Sequence, residues 1–317
     1  MERCKRETRL LLLTILWLTV LPTLGQDFNT HWVYAPQADS LSHVWFRRAF
    51  ISNGRPIHAS VTVTTTGHFK LYVNECNVGT ALFYPARPTG DSTAVSMTFD
   101  ISPYLRADTN VVALLYSPTL PSQSHRQIAV NVYGTDSEGY AFGHAADATW
   151  LCRRANSRMT TDGGEDIDGR YHYPAWKAAT IYDISQWLPV ASYEDHANIQ
   201  DLSPTLVSGL KAVTASHVES LSLRISQNPI LLYLAETFYG FPRITLREAR
   251  HGEKLRIGNI TYTCNGNMDE QAYPAFAIGS WSAIPIEGDK LFKPSQIVSL
   301  DLLSTAEQTF RPDFTHN

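Results

Sequence analysis

The run Asp162-Gly163-Gly164-Glu165-Asp166-Ile167-Asp168-Gly169-Arg170 places four carboxylates and three glycines in nine positions. Glycine lets a backbone bend freely, so oxygens from such a run can converge on one point. Hard cations take roughly six to eight oxygen ligands, which makes Asp162, Asp166 and Asp168 the candidate calcium ligands. The spacing nevertheless lacks the alternating ligands and terminal Glu of an EF-hand loop. The same carboxylates, with Arg170, offer acceptors and donors to sugar hydroxyls, and Tyr171 and Trp176 follow as aromatic faces for stacking. Glu165, Asp166, Asp168, Arg170, Tyr171 and Trp176 are therefore the candidate sugar-binding set. The plainer reading is a solvated turn carrying a structural Asp–Arg pair.

Asp269 and Glu270 invite an acid/base reading, but neighbours on a strand point to opposite faces and cooperate poorly. The chain holds no Gly-x-Ser-x-Gly elbow, and its histidines lack the spacing of a zinc protease helix. Arg153 and Arg154 beside Cys152 would lower its thiol pKa, whereas Trp150 nearby suggests a packed, structural position. Cys76, Cys152 and Cys264 fit neither a disulfide framework nor a zinc pattern and are expected to be buried free thiols. Asn259-Ile260-Thr261 fits the N-glycosylation pattern.

Those residues need a scaffold, and the composition is that of a folded chain, with 44% hydrophobic and 11% aromatic residues, long enough for about two domains. A formal net charge of -4 argues against nucleic acid and anionic lipid as partners, because phosphate binding rests on clustered Lys and Arg. Arg3, Lys5, Arg6 and Arg9 precede the apolar run Leu10 to Leu21, and Pro22, Thr23 and Gly25 follow, so residues 1–25 read as a cleaved secretory signal. The mature protein is expected to have no membrane span.

From Trp32 to Tyr133 short runs alternate between apolar and polar residues, punctuated by turn residues. Strands are expected at Ala59–Thr65, Phe69–Val73, Val111–Tyr116 and Ile128–Tyr133, with Thr66-Gly67-His68 and Asn74 to Gly79 as the turns of a hairpin meander. Val218–Leu223 and Ile230–Leu234 continue the pattern, and Phe292 to Leu303 could hold one short helix. The polar stretch Ser192 to Pro204 marks a boundary. The expectation is all-β: a jelly-roll domain over 26–191 and a second β-sandwich over 205–317.

Trp45-Phe46-Arg47-Arg48-Ala49-Phe50, Leu71-Tyr72-Val73-Asn74, Asp100-Ile101-Ser102-Pro103-Tyr104-Leu105 and Asn110-Val111-Val112-Ala113 occur in this order. With Asp147-Ala148-Thr149-Trp150, Gly164-Glu165 through Arg170, and Trp176, they resemble the N-terminal galactose-binding-like jelly roll of bacterial α-L-rhamnosidases. Phe238 to Ile244 and Gly252 to Ile257 are similar to the β-sandwich that precedes the catalytic domain of that family. The family's catalytic carboxylates belong to an α-helical toroid that has no matching positions here, so the resemblance transfers no catalytic residue. It implies a bacterial, periplasmic or cell-surface module that recognises a rhamnose-containing glycan or acts as a scaffold, without hydrolase activity of its own. Two alternatives stand beside it: a truncated or split glycoside hydrolase that needs a separate catalytic chain, and a purely structural or protein-interaction fragment.

Overall fold

β-branched and aromatic residues dominate the runs that become strands, because they pack well on a pleated surface. The computed structural model describes residues 31–79, 81–85, 93–119, 127–181, 183–193, 198–201, 210–219 and 229–307. The proposed signal at 1–25 lies outside these residues, as do parts of the expected boundary and Ser220–Leu223. In chain order the first strands are β1 (Trp32–Tyr34), β2 (Ser42–Ile51), β3 (His58–Thr65), β4 (His68–Val73), β5 (Cys76–Asn77), β6 (Thr93–Asp100), β7 (Thr109–Ser117), β8 (Ile128–Thr135), β9 (Ala141–Ala145), β10 (Leu151–Met159) and β11 (Glu165–Asp168). There follow β12 (Leu188–Pro189), β13 (Ala191–Tyr193), β14 (Asn198–Asp201), β15 (Leu210–Glu219), β16 (Ile230–Arg247), β17 (Lys254–Ile257), β18 (Ile260–Thr263), β19 (Asp269–Ala272), β20 (Gly279–Gly288) and β21 (Ile297–Glu307). Helical structure among the described residues is confined to four short 3-10 turns.

Two sheets result. The smaller runs β13-β1-β8-β3-β6-β14, with β9 added on β8. The larger runs β15-β21-β16-β20-β17-β18-β11-β10-β2-β7-β4-β5, with β12 on β10 and β19 on β16. Among the described residues, the strands of the larger sheet that lie between β2 and β12 in the chain join those from β15 onward through the parallel pairing of β11 with β18. Long β16 serves two ladders in turn: Ile230–Tyr233 pairs with β20, whereas Ile244–Leu246 lies between β19 and β21.

Period-two alternation divides the apolar residues between layers. Phe46, Leu71, Leu114 and Cys152 face Val61, Met97, Val130 and Val132 of the smaller sheet and form the first core. Their neighbours Trp45, Val111 and Ala113 face the other way, where Trp176 and Trp187 cover them. A separate core gathers Ile244, Leu246, Leu255, Ile257, Ile260, Ile284 and Leu300.

Two expectations are corrected. Thr66-Gly67 is no hairpin turn, because β3 pairs with β6 and β8 while β4 pairs with β7 and β5, so the chain changes sheets there. Side-chain bonds pin that corner: Thr65 Oγ1 donates to the Gln127 carbonyl and accepts from Gly67 N, and a Cβ on Gly67 would strike the Ser117 carbonyl and the Tyr116 ring. The stretch Phe292 to Leu303 forms a 3-10 turn at Pro294–Gln296 and then enters β21, whose Leu300 side chain is fully buried in the second core. By contrast Asn74-Glu75 closes a two-residue hairpin between β4 and β5, with φ of 50° and 72°, the positive pair that a type I′ turn requires.

Buried Asn74 and Asn110 lock this end of the sandwich. Asn74 Nδ2 donates to Asn110 Oδ1 at 2.8 Å and to the Tyr104 carbonyl at 2.9 Å, and its Oδ1 accepts from Val111 N at 2.9 Å. Asn110 Oδ1 also accepts from Arg106 N, and its Nδ2 reaches Ser52 Oγ and the Arg106 carbonyl. Removing one partner leaves buried polar groups unmet. Asn110→Ala is expected to lower unfolding stability by about 2–4 kcal/mol in urea denaturation; a loss within roughly 0.5 kcal/mol, the range of ordinary surface changes, would show that the latch does not hold the corner.

Candidate functional site

The acidic run identified in the sequence is not a loop. Thr160 to Gly164 forms a tight turn, and Glu165–Asp168 is β11, wedged between β10 and β18. Alternation then splits its carboxylates. Asp166 and Asp168 lie on one face, in register with Thr261 and Thr263 of β18, which in turn oppose Arg256 and Lys254 of β17. On the other flank Arg158 of β10 stands opposite Asp166.

β10 is irregular between Arg154 and Arg158, so its register against β2 shifts and the strand bends where it meets β11. An open cleft of about 630 Å3 lies there, lined by Gln37, Trp45, Arg153, Arg154, Asn156, Arg158, Asp166, Asp168, Tyr171, Gln186 and Lys254, among others. Asp168 accepts a two-point bond from Arg170, at 2.9 Å from Nε and 2.7 Å from Nη2, and this guanidinium holds the carboxyl below its ordinary range. Asp166 is exposed and has no ion-pair partner among the described residues. Arg154 and Arg158 share Asp39, at 3.8 and 3.6 Å. Arg153 lies over Tyr173 and Trp45, with its guanidinium carbon 5.2 and 5.7 Å from the ring centroids.

Glu165 and Ile167 face the opposite way. The Glu165 side chain is fully buried and accepts from Ala275 N at 2.9 Å, from Phe276 N, and from Ala277 N at 2.5 Å. Phe276 is thereby held against His43, Phe83 and Lys70. Burial pushes His43 down to about 4, against the opposing pull of Glu165, and pushes the Lys70 ammonium down to about 8. His43 Nδ1 pairs with Ser157 Oγ at 2.8 Å, while its Nε2 is buried without a hydrogen-bond partner. A smaller cavity of about 420 Å3, lined by Lys70, Tyr72, Lys177, Tyr262 and Tyr273 among others, adjoins this cluster.

Of the six residues proposed for sugar, Asp166, Asp168 and exposed Tyr171 meet in the larger cleft. Glu165 is committed to backbone donors inside the protein, and Arg170 is committed to Asp168. Trp176 is not a free stacking face: it is 8% exposed, stacked on Trp45 with centroids 5.8 Å apart and an interplanar angle of 10°, and edged by Tyr72. Nor do Asp162, Asp166 and Asp168 gather as calcium ligands. Asp162 sits in the exposed turn and accepts from Thr160 Oγ1, Asp168 is taken by Arg170, and no metal-holding group of three carboxylate, His or Cys side chains occurs among the described residues.

Asp269 and Glu270 occupy opposite faces of β19: Asp269 pairs with Arg247 at the surface, while buried Glu270 accepts from Tyr262 Oη, Asn265 N and Gly266 N. The Cys152 thiol is buried and pushed up to about 11, the reverse of activation by its arginine neighbours. Cys76, expected inside, is exposed on the short strand β5; all three described thiols are free. Sequence reasoning missed Gln37, Asn156, Arg158 and Lys254 as cleft residues. The Arg153-Arg154 pair followed by Arg158 was the available signal, but only the pairing of β10, β11, β18 and β17 turns it into a lining.

Residues 54–208 match the family model of the α-L-rhamnosidase N-terminal domain. The fold is similar to α-L-rhamnosidase from Dictyoglumus thermophilum, with TM-score 0.72, 13% identity, and coverage of 89% of this chain and 36% of that one. The Aspergillus terreus α-L-rhamnosidase gives TM-score 0.70 at 13% identity, covering 89% and 36%. The Streptomyces avermitilis α-L-rhamnosidase, solved as a complex with L-rhamnose, gives 0.67 at 15% identity, covering 84% and 29%. The chain thus spans about a third of the length of these proteins. No curated protein sequence matches it.

Glu165→Gln keeps the shape but removes the charge and replaces one acceptor oxygen with an amide nitrogen, which donates and cannot accept from the backbone N–H it would face. The expected loss is about 2–4 kcal/mol in denaturant titration, whereas Asp166→Ala, at an exposed position, should stay within roughly 0.5 kcal/mol. Equal losses would contradict the division of faces. His43 and His68 are both held near 4, chiefly by burial, so between pH 6.5 and 4 the unfolded chain binds protons that the folded one does not. Stability is therefore fully present above pH 6.5 and should fall as pH drops toward 4, with a shallower fall in His43→Gln. A flat profile over this window would contradict burial of these rings.

Proposed function

We infer that this chain, which carries the N-terminal domain of the α-L-rhamnosidase family over residues 54–208, is a carbohydrate-recognition module that does not itself cleave sugars. The observation that carries this reading is the cleft at β10 and β11. It combines an exposed tyrosine ring, an unpaired carboxylate at Asp166, the amides of Gln37, Asn156 and Gln186, and several guanidinium donors around a space that fits one or two sugar rings. Hydroxyls that donate and accept at once are matched by such mixed groups, and Tyr171 offers a face to the apolar side of a ring.

Inverting hydrolysis needs an acid and a base carboxylate directed at one bond. Here both oxygens of Asp168 are taken by Arg170, which leaves Asp166 without a partner for that task. A rhamnose-containing glycan is the proposed ligand, by the family kinship. The basic, then apolar, N-terminal segment supports secretion to the periplasm or surface of a bacterium.

A second reading, a platform for a separate catalytic chain, is favoured by one feature. Leu231, Tyr233 and Tyr239 of β16 are 47%, 77% and 55% exposed, large apolar groups along a single strand.

Titration calorimetry against rhamnose and rhamnose-containing oligosaccharides, with a parallel aryl rhamnoside assay, separates these readings. Saturable binding without turnover is expected. Asp166→Ala and Tyr171→Ala should each weaken it by roughly tenfold or more with unchanged melting temperature. Turnover by the chain alone would refute the non-catalytic reading, and absence of binding to any sugar would leave the platform reading.

A further inference from the structure

The cleft is more cationic than a neutral sugar requires. With the self-contained Asp168–Arg170 pair set aside, Arg153, Arg154, Arg158 and Lys254 line it against Asp166, and Asp39 is the neighbouring carboxylate that Arg154 and Arg158 share. Arg153 spends the faces of its guanidinium on Tyr173 and Trp45, which leaves its in-plane N–H donors unspent. Lys254 is exposed and acts on Asp168, whose two oxygens are already held by Arg170. An excess of cations over carboxylates in one concave site of a chain with net charge -4 marks a local anion preference, set against an overall field that repels long polyanions.

Resting on the recognition reading above, we propose that the cleft takes a sugar unit that carries a carboxylate, a uronic acid residue within a glycan. The carboxylate is met by Arg158 and Lys254 at the β10 and β17 sides, while Asn156, Gln37 and Asp166 receive ring hydroxyls. Arginine suits the task because its planar fork matches both oxygens of a carboxylate. A sugar unit with a single anionic group fits the size of the cleft, about 630 Å3.

The test is titration calorimetry of the whole protein with a galacturonic acid trimer and the neutral galactose trimer of the same linkage, alongside the rhamnose oligosaccharides. At low salt the acidic trimer should bind roughly tenfold more tightly than the neutral one, as charge-assisted bonds are stronger. Raising sodium chloride to about 0.3 M should erode that advantage severalfold and leave the neutral ligand unaffected. Lys254→Gln and Arg158→Gln should each remove most of the advantage without lowering the melting temperature. Equal binding of the acidic and neutral trimers, or rhamnose binding alone, overturns the acid preference while the recognition reading stands. Binding of no glycan removes both, and an acid preference that survives in both variants places the anion elsewhere and overturns this assignment.

Discussion

A carboxylate taken out of water costs several kcal/mol unless donors replace its hydration. Glu165 is fully buried, and three consecutive backbone N–H groups, from Ala275 to Ala277, supply the replacement. This one set of charge-assisted bonds ties β11 to a segment that follows β19, more than a hundred positions along the chain. It seats Phe276 against His43, Phe83 and Lys70, where both titratable groups have been pushed toward their neutral forms. Because β11 has only four residues, fixing the Glu165 side chain also fixes where Asp166 and Asp168 point. The cleft inherits its geometry from the joint behind it.

The strand therefore divides labour by parity. Even positions meet solvent, cations and, in the proposed function, ligand; odd positions meet the interior. The same economy recurs in β2, where Trp45 and Arg47 hold the covering segment around Trp176 and Trp187, while Val44 and Phe46 enter the core. Arg47 is a buried cation without an ion partner in the described structure; its guanidinium is spent on the carbonyls of Trp176, Ala178 and Ala179. The aromatic content noticed in the sequence is thus largely consumed by packing, and Tyr171 is left as the face available in the cleft.

Much of the architecture was legible because strand runs carry a local signature. Ala59–Thr65, Val111–Tyr116 and Ile128–Tyr133 lie within β3, β7 and β8, and the Asn74 turn could be read from the tolerance of Asn for positive φ. What the local pattern could not reveal was partnership. Thr66-Gly67 has the composition of a hairpin turn, yet the corner it makes depends on Gln127 and Ser117, far along the chain. Likewise the run from Asp162 to Arg170 announced its charge but not its parity, since Glu165 finds its donors more than a hundred positions away. The basic lining of the cleft was hidden for the same reason: Arg158 and Lys254 become neighbours only through two intervening strands.

The parallel pairing of β11 with β18 also imposes an order on synthesis. A chain emerging from the ribosome completes β11 long before residues 260–263 exist, so the edge of β11 stays open, with unmet N–H and C=O groups, until most of the protein has been made. Non-local closure of this kind is slow, because the ends must meet before any contact rewards the meeting. A cut in the polar stretch between residues 192 and 204 would part β11 from β18. A first half cut there would present a bare strand edge and a buried glutamate stripped of its donors, and both would seek partners in other chains.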